Sequence, residues 1–135
     1  MGVILAVAIS LVVAYTRSKL GPDKQNVFVR GLFDLVGEYA KLHDGEWPRS
    51  WDDLKTVPIE GKWYYPLDFE KAQETVDIDF AADPQVIAHQ MPNQFTAIKA
   101  KKPVLDYRSD PRVSILIETI RRELEEKKPK PVSEN

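Results

Sequence analysis

Apolar residues recur at helical spacing in two stretches of the chain. The first stretch follows a potential cap at Asp23 and stops before Gly45, a residue type suited to ending a helix. Its stripe consists of Phe28, Leu32, Leu35, Val36, Tyr39 and Leu42. The second stretch follows Asp110 and Pro111, a cap and a proline at the first helical position. Its stripe consists of Val113, Leu116, Ile117, Ile120 and Leu124. Residues three and four apart lie on one side of a helix, so both stretches predict amphipathic helices that cover a core.

Capping signals predict two shorter helices between these stretches. The Ser50 hydroxyl can accept a hydrogen bond from the backbone of Asp53, whose carboxylate can reach back in a capping-box arrangement. Leu54 would then point into the core. Asp83-Pro84 repeats the cap-and-proline signal and predicts a turn or two of helix that ends near His89.

Four short segments have the composition or the alternation of strands. They are residues 62–65, 75–80, 95–99 and 104–107. The clearest pattern is in 75–80, where apolar residues alternate with Asp77 and Asp79. The order of the elements predicts an α+β fold, in which amphipathic helices pack on a small sheet of about three strands.

The N-terminal segment is the most apolar part of the chain. Residues 2–15 carry no charge, and Arg17 and Lys19 follow them. As a helix this run spans roughly 21 Å, less than the ~30 Å hydrocarbon core of a bilayer. Residues 1–20 are long enough if the two basic side chains extend to the headgroups. Because the segment also lacks the polar face of a surface helix, we predict a transmembrane anchor at 1–20 that binds the lipid bilayer.

This prediction divides the chain into an anchor at 1–20, a small α+β domain at 21–128 and a disordered tail at 129–135. A cleaved signal peptide fits less well, since no basic residue precedes Val3. Basic residues after the segment favour a cytoplasmic domain, but an upstream start site would reverse that argument. The predicted localisation is a single-pass membrane protein with the side of the domain left open, and other membrane or envelope proteins are candidate partners.

Composition narrows the function classes. The 135 residues allow one small domain, and their 19 basic and 21 acidic residues are mixed, which gives no electrostatic case for nucleic acid. The absence of cysteine excludes disulfides and thiolate metal sites. No nucleophile elbow, phosphate-binding loop or dinucleotide motif occurs, so no enzyme activity and no cofactor are predicted.

Two acidic groupings are candidates for metal binding. Asp77 and Asp79 would share one strand face, as in the Asp-x-Asp sites of metal-dependent transferases. A half-exposed strand alternates in the same way, and this is the interpretation that we prefer. Residues 43–46 join a histidine to two carboxylates, which a polar helix end also explains. His89 has no partner nearby in sequence, so no site residue is assigned.

Aromatic residues crowd into one part of the chain. They are Trp47, Trp51, Trp63, Tyr64 and Tyr65. If exposed, they would suit a ligand-binding patch. A packed corner beside Pro48 is the preferred interpretation, because buried aromatic rings are efficient core residues.

The segment from Tyr39 to Leu54, which reads Y-x3-H-D-G-E-W-P-R-S-W-D-D-L, resembles part of the bacterial type IV pilins and type II secretion pseudopilins. In those families a helix ends near a glycine, an aromatic-proline pair follows, and a short second helix ends in leucine. The sequence lacks their Gly-Phe processing site. The resemblance implies a membrane-anchored scaffold or filament subunit.

The leading hypothesis is therefore a bacterial membrane-anchored binding or scaffolding domain without catalytic activity. The alternatives are a metal-dependent enzyme that uses Asp77 and Asp79, and an aromatic ligand-binding module.

Overall fold

The computed structural model describes residues 25–58, 68–102 and 105–127 of the chain. In chain order its helices and strands are α1 (25–42), α2 (Trp51–Lys55), α3 (Phe69–Thr75), β1 (Val76–Ile78), α4 (Pro84–Ala88), β2 (Ile98–Ala100) and α5 (Pro111–Lys127). Single 3-10 turns lie at Pro92–Gln94 and Tyr107–Ser109. The described chain is thus mostly helical, with one two-stranded antiparallel sheet. This corrects the predicted α+β fold with a sheet of about three strands.

The two long amphipathic helices are confirmed as α1 and α5. All five residues of the second stripe are buried. In the first stripe, four residues are buried and Phe28 is partly buried against the core. Leu42 was predicted to be inward but is 58% exposed. Leu42 is the last residue of α1, and the buried stripe of the helix ends at Ala40, whose carbonyl accepts from the Gly45 N–H in the turn that follows.

α1 and α5 lie side by side and run in the same direction. Arg30 near the start of α1 pairs with Asp110 at the start of α5, with 2.9 Å between nitrogen and oxygen. Gly37 lies against Leu116, where an added Cβ would meet the leucine side chain at 3.7 Å. Residue numbers therefore increase in the same direction along both helices. The chain that links them must return along the length of α1 before α5 begins.

Helix α1 ends in a left-handed turn, as its glycine predicts. Asp44 has a φ of 56° and Gly45 a φ of 87°. Gly45 also faces Leu124 of α5, and an added Cβ would lie 2.9 Å from the leucine Cγ and 3.1 Å from its backbone nitrogen. The glycine therefore meets two requirements at once, a backbone conformation that other residues rarely adopt and a close approach between elements.

The caps of the two short helices are also confirmed. The Ser50 Oγ accepts from the Asp53 N–H at 3.2 Å, and Leu54 is fully buried. The Asp53 carboxylate accepts from the N–H of Arg49, one residue before the predicted donor, Ser50. At α4, Asp83 accepts from the Gln85 N–H at 2.9 Å and Pro84 is the first helical residue.

The strand predictions are only partly right. The segment 75–80 contributes just Val76–Ile78, because helix α3, which was not predicted, continues through Thr75. The segment 95–99 is confirmed in shifted form as β2. The segment predicted at 104–107 is wrong in its described part: Asp106 caps a 3-10 turn by accepting from the Arg108 N–H at 3.0 Å. The segment 62–65 lies outside the described residues.

The membrane predictions are corrected as well. Across residues 25–58, 68–102 and 105–127, every helix is too short or too polar to cross a bilayer. The predictions of a transmembrane helix and of single-pass membrane localisation are therefore not supported. The proposed anchor itself, at 1–20, and the tail at 129–135 lie outside the described residues.

Candidate binding site at the sheet edge

The two-stranded sheet has a defined register. Val76 lies opposite Ala100, Asp77 opposite Lys99 and Ile78 opposite Ile98. The Lys101 N–H donates to the Thr75 carbonyl at 2.9 Å, and the Asp79 N–H donates to the Ala97 carbonyl at 2.8 Å. These bonds extend the ladder by one residue pair at each end.

The register leaves one edge of β2 without partners. Hydrogen-bonded and non-hydrogen-bonded pairs alternate along an antiparallel ladder. Since Lys101 and Ala97 bond toward β1, the backbone groups of Ile98 and Ala100 point away from β1. Within the part of the chain that the structure describes, these outward N–H and carbonyl groups have no hydrogen-bond partner. We call this side of the strand the β2 edge.

A cleft of about 470 Å³ runs along the β2 edge. It touches both Ile98, which points into the core, and Lys99, which points to solvent. A space that reaches both faces of a strand lies beside its backbone. The apolar floor of the cleft is formed by Phe33, Phe95, Ile98 and Val113. The segment 105–108 also lines the cleft, and we call this segment the wall.

The wall is held in place by hydrogen bonds from Tyr107 and Arg108. Arg108 and Asp106 form a two-pronged ion pair, with Nε–Oδ1 at 3.0 Å and Nη2–Oδ2 at 2.9 Å. A further nitrogen of Arg108 donates to the carbonyl of Asn93 at 3.1 Å. The Tyr107 hydroxyl lies within hydrogen-bonding distance of the side-chain oxygens of Gln25 and Asn26 at the start of the described part of α1. The wall is thus tied both to the preceding turn and to α1.

The ionisation of the wall follows from these contacts. The Arg108 side-chain hydrogen bond, and then the Arg108 backbone N–H, lower the pKa of Asp106 from 3.8 to about 2. The same side-chain bond raises the pKa of Arg108. Burial raises the pKa of Tyr107. At neutral pH the wall therefore carries a closed ion pair and a neutral phenol.

The solvent face of β2 carries positive charge. Lys99 and Lys101 are exposed and two residues apart, so they share one face of the strand, and Lys102 is exposed just beyond them. Within the described residues, none of these three amines has an ion-pair partner within 4.0 Å. On β1 the same face carries Asp77, directly opposite Lys99, and Asp79 follows just after the strand.

The outer side of β1 is partly paired. Its first N–H, from Val76, donates to the carbonyl of Ala72 in α3. Where β1 ends, the Trp47 indole donates to the carbonyl of Asp79 at 2.8 Å. Only the Val76 contact lies on the outer side, because Asp79 bonds toward β2. Within the described residues, the outward backbone groups of Ile78 have no hydrogen-bond partner, as at Ile98 and Ala100.

The predicted carboxylate pair lies on the exposed side of the sheet. Asp79 uses one oxygen to accept from the Ala81 N–H at 3.0 Å, which is a turn contact. In the described parts of the chain, no group of three or more His, Asp or Glu side chains is placed to hold a metal ion. Asp77 and Asp79 are both exposed, as expected for a strand with one face toward solvent.

The two histidines lie in polar surface positions. His43 is exposed at the end of α1 and stacks on Tyr39, with 4.1 Å between ring centres. Glu46, from the same loop, faces Lys127 of α5 at 3.9 Å. The Nδ1 atom of His89 lies 2.7 Å from the Gln85 carbonyl. Among the described residues, neither histidine belongs to a group of three or more His, Asp or Glu side chains that could hold a metal ion.

The aromatic cluster is a packed corner where it is described. Trp47 is 5% exposed and packs edge-on against Phe95, and Trp51 is partly buried and edge-on to Phe80. These positions argue against a stacking patch at the two tryptophans. Trp63, Tyr64 and Tyr65 lie outside the described residues.

A second cluster of charges joins α1 to α5. Arg30 and Arg112 both reach the Asp110 carboxylate, which is nearly buried, and Arg112 also contacts Asp34 at 3.5 Å. Burial is the main cause that raises the pKa of Asp34, and it outweighs the opposing effect of Arg112. Asp110 also accepts from the Arg112 N–H at 2.9 Å and so caps α5. These charges fix the start of the parallel pair, and no cleft lies over them among the described cavities.

Sequence reasoning did not find the β2 edge or its wall. The signal available was the run Ala97 to Lys102, where apolar residues alternate with lysines before two consecutive lysines. Charged edge strands commonly have this pattern.

Comparisons of the chain with protein-family models, curated proteins and solved structures gave no significant match. The resemblance of Tyr39 to Leu54 to pilins and pseudopilins therefore stays a prediction.

Proposed function

We propose that this chain is a protein-interaction domain that binds an extended peptide along the β2 edge. The peptide adds a third strand to the sheet and lies in the cleft between β2 and the wall. The observation that carries the proposal is the set of outward N–H and carbonyl groups at Ile98 and Ala100, which have no partner in the described structure and line a cleft.

Backbone chemistry supports strand addition. An unpaired strand edge is a template for another extended chain, and several peptide-binding domains use their sheets in this way. Buried N–H and carbonyl groups are nearly always paired in native proteins. Ile98 and Ala100 are both buried, so a strand that supplies partners for their backbone groups would gain hydrogen bonds at little desolvation cost.

The shape of the cleft supports the same function. Its volume falls in the range of ligand pockets, about 300 to 1,000 Å³, and its floor is apolar. Side chains of an added strand point alternately to the two faces of the sheet. Every second peptide side chain would therefore reach Phe33, Phe95 and Val113, while the others would stay in solvent.

The test uses the full chain and a displayed library of random peptides of about eight residues, a common strand length. Selected peptides are synthesised, and amide hydrogen exchange of the protein is measured by NMR with and without them. In the free protein we expect slow exchange at Lys99 and Lys101, which bond to β1, and faster exchange at Ile98 and Ala100. A bound peptide should slow Ile98 and Ala100 by about tenfold or more while changing Lys99 little.

Matched peptides provide the control. N-methylation of alternate residues that face β2 removes the donors and should abolish binding. N-methylation of the intervening residues, which face away, should leave it intact. The substitution Ala100→Pro removes one outward donor without removing a bond to β1, and it should weaken binding in a protein whose folding is checked by circular dichroism.

The proposal fails if no peptide is selected, or if selected peptides protect amides elsewhere and leave Ile98 and Ala100 unchanged. It also fails if both methylated series bind equally well.

A further inference from the structure

The strand that β2 already pairs with indicates what a second partner strand should look like. β1 and its flanking residues read Thr75-Val76-Asp77-Ile78-Asp79-Phe80, with apolar side chains toward the core and carboxylates toward solvent. Lys99 and Lys101 lie on the same solvent face, and Asp77 is the direct neighbour of Lys99. Within the sheet, the basic strand β2 is therefore matched to an acidic strand.

The geometry points to a peptide partner in which acidic and apolar residues alternate. This inference rests on the proposed function, because it specifies the chemistry of the strand that the β2 edge accepts. An added strand shares the two faces of the sheet with β2. Its solvent-facing residues lie beside Lys99 and Lys101, and its inward residues lie over the apolar floor of the cleft.

The lysines favour this partner through two effects. Opposite charges side by side on neighbouring strands attract, and like charges directly opposite repel. Within the described residues, the three amines of Lys99, Lys101 and Lys102 have no ion-pair partner within 4.0 Å, so they are available to a ligand. The same charges oppose pairing of β2 with β2 of a second copy, since lysines would then face lysines.

The wall adds little net charge to this choice. Asp106 and Arg108 are both on the cleft, but they neutralise each other in a two-pronged pair. The charge that a peptide meets beside β2 is therefore set mainly by Lys99, Lys101 and Lys102.

The experiment compares three synthetic peptides on the full chain. The first copies residues 75–80, the second replaces both aspartates with asparagine, and the third replaces them with lysine. We expect the aspartate peptide to bind on the order of tenfold more tightly than the lysine peptide, with the asparagine peptide between them. The difference should shrink as salt rises from about 50 to about 500 mM, because exposed charges are screened.

Removal of one charge from the protein completes the test. Lys99→Gln should reduce the preference for the aspartate peptide over the lysine peptide. The control Arg122→Gln removes the same charge from an exposed residue of α5 that does not line the cleft, and it should leave the preference unchanged.

The outcomes separate the two proposals. If all three peptides protect Ile98 and Ala100 equally from exchange, the acidic preference is wrong and strand addition stands. If the peptides bind without protecting these amides, or if none binds and the library also yields nothing, strand addition itself is wrong. If the aspartate peptide instead drives self-association of the protein, seen by ultracentrifugation, the assignment of the cleft to a peptide partner is overturned.

Discussion

The interface between α1 and α5 differs from the β2 edge in how its groups are packed and paired. Along the helix pair, side chains from sequence-distant segments fill the space between the backbones, and Gly37 and Gly45 lie against leucines of the facing helix. At the β2 edge, outward backbone groups border a cleft. Among the described cavities, the one that borders unpaired backbone groups lies at the β2 edge. Under the proposed function, stability and recognition are placed in different parts of this small fold.

Shortening a side chain between α1 and α5 should have the largest effect on stability. Leu116 is 1% exposed, and its neighbour Ile115 is 58% exposed on the same helix. Leu116→Ala removes packed methyl groups and leaves a cavity, which should lower the free energy of unfolding by about 2 to 5 kcal/mol. Ile115→Ala should change it by less than about 0.5 kcal/mol. Urea unfolding followed by tryptophan fluorescence measures both.

If the two substitutions had equal effects, the parallel helix pair would not be the main stabilising region. The comparison with the β2 edge would then be wrong.

Two glycines test the closeness of the helix pair with opposite signs. Gly45→Ala places a Cβ 2.9 Å from the Leu124 Cγ in a left-handed backbone conformation, and it should destabilise the protein by about 2 to 4 kcal/mol. Gly37→Ala meets the Leu116 side chain at an ordinary 3.7 Å inside a helix, and it should stabilise the protein by about 0.5 to 1 kcal/mol. Thermal unfolding of both variants gives the comparison directly. A loss of stability in Gly37→Ala would show that the two helices approach more closely at this position.

The smallest effect on stability is expected from the exposed Asp106–Arg108 pair in the wall of the cleft. The pKa of Asp106 is lowered from 3.8 to about 2, chiefly by its bond to the Arg108 side chain. Because the folded pKa lies below the ordinary value, the stabilising effect of this pair is present above about pH 3.8 and is lost as pH falls through about 2. NMR titration of the side-chain carboxyl carbon of Asp106 measures the midpoint.

Arg108→Gln is the control for this titration, since it removes the charge but keeps a polar side chain. It should return the Asp106 midpoint toward the ordinary range. A midpoint that did not move would assign the lowered pKa to other contacts of the wall.

The helices of the core could be predicted from sequence because the stripes and caps that specify them are local signals. The stripes of α1 and α5 repeat at helical spacing, and the caps at Ser50, Asp83 and Asp110 form with the expected backbone groups. Helix α3 was missed because its segment buries only Ala72 and so has no apolar stripe. Leu42 was misplaced because a periodic pattern does not indicate where a helix leaves the core.

The candidate site could not be predicted because it depends on pairing between distant segments. Which backbone groups of β2 remain unpaired follows from the register of Lys99 opposite Asp77, and no local pattern specifies that register. The wall is likewise positioned by Tyr107 reaching Gln25, a contact 82 residues apart in the chain. The alternating lysines and aspartates were visible in the sequence, but only the register makes them neighbours.

The parallel arrangement of α1 and α5 has a consequence for how the chain is made. Arg30 and Asp110, which join the two helices, are 80 residues apart. At ribosomal rates of about 5 to 20 residues per second, α1 would wait roughly 4 to 16 seconds for its partner to be synthesised. During that time the part of its apolar face that α5 covers has no native partner. Arrested nascent chains that stop before residue 111 should accordingly be protease-sensitive, and the chain should become resistant only once α5 has emerged.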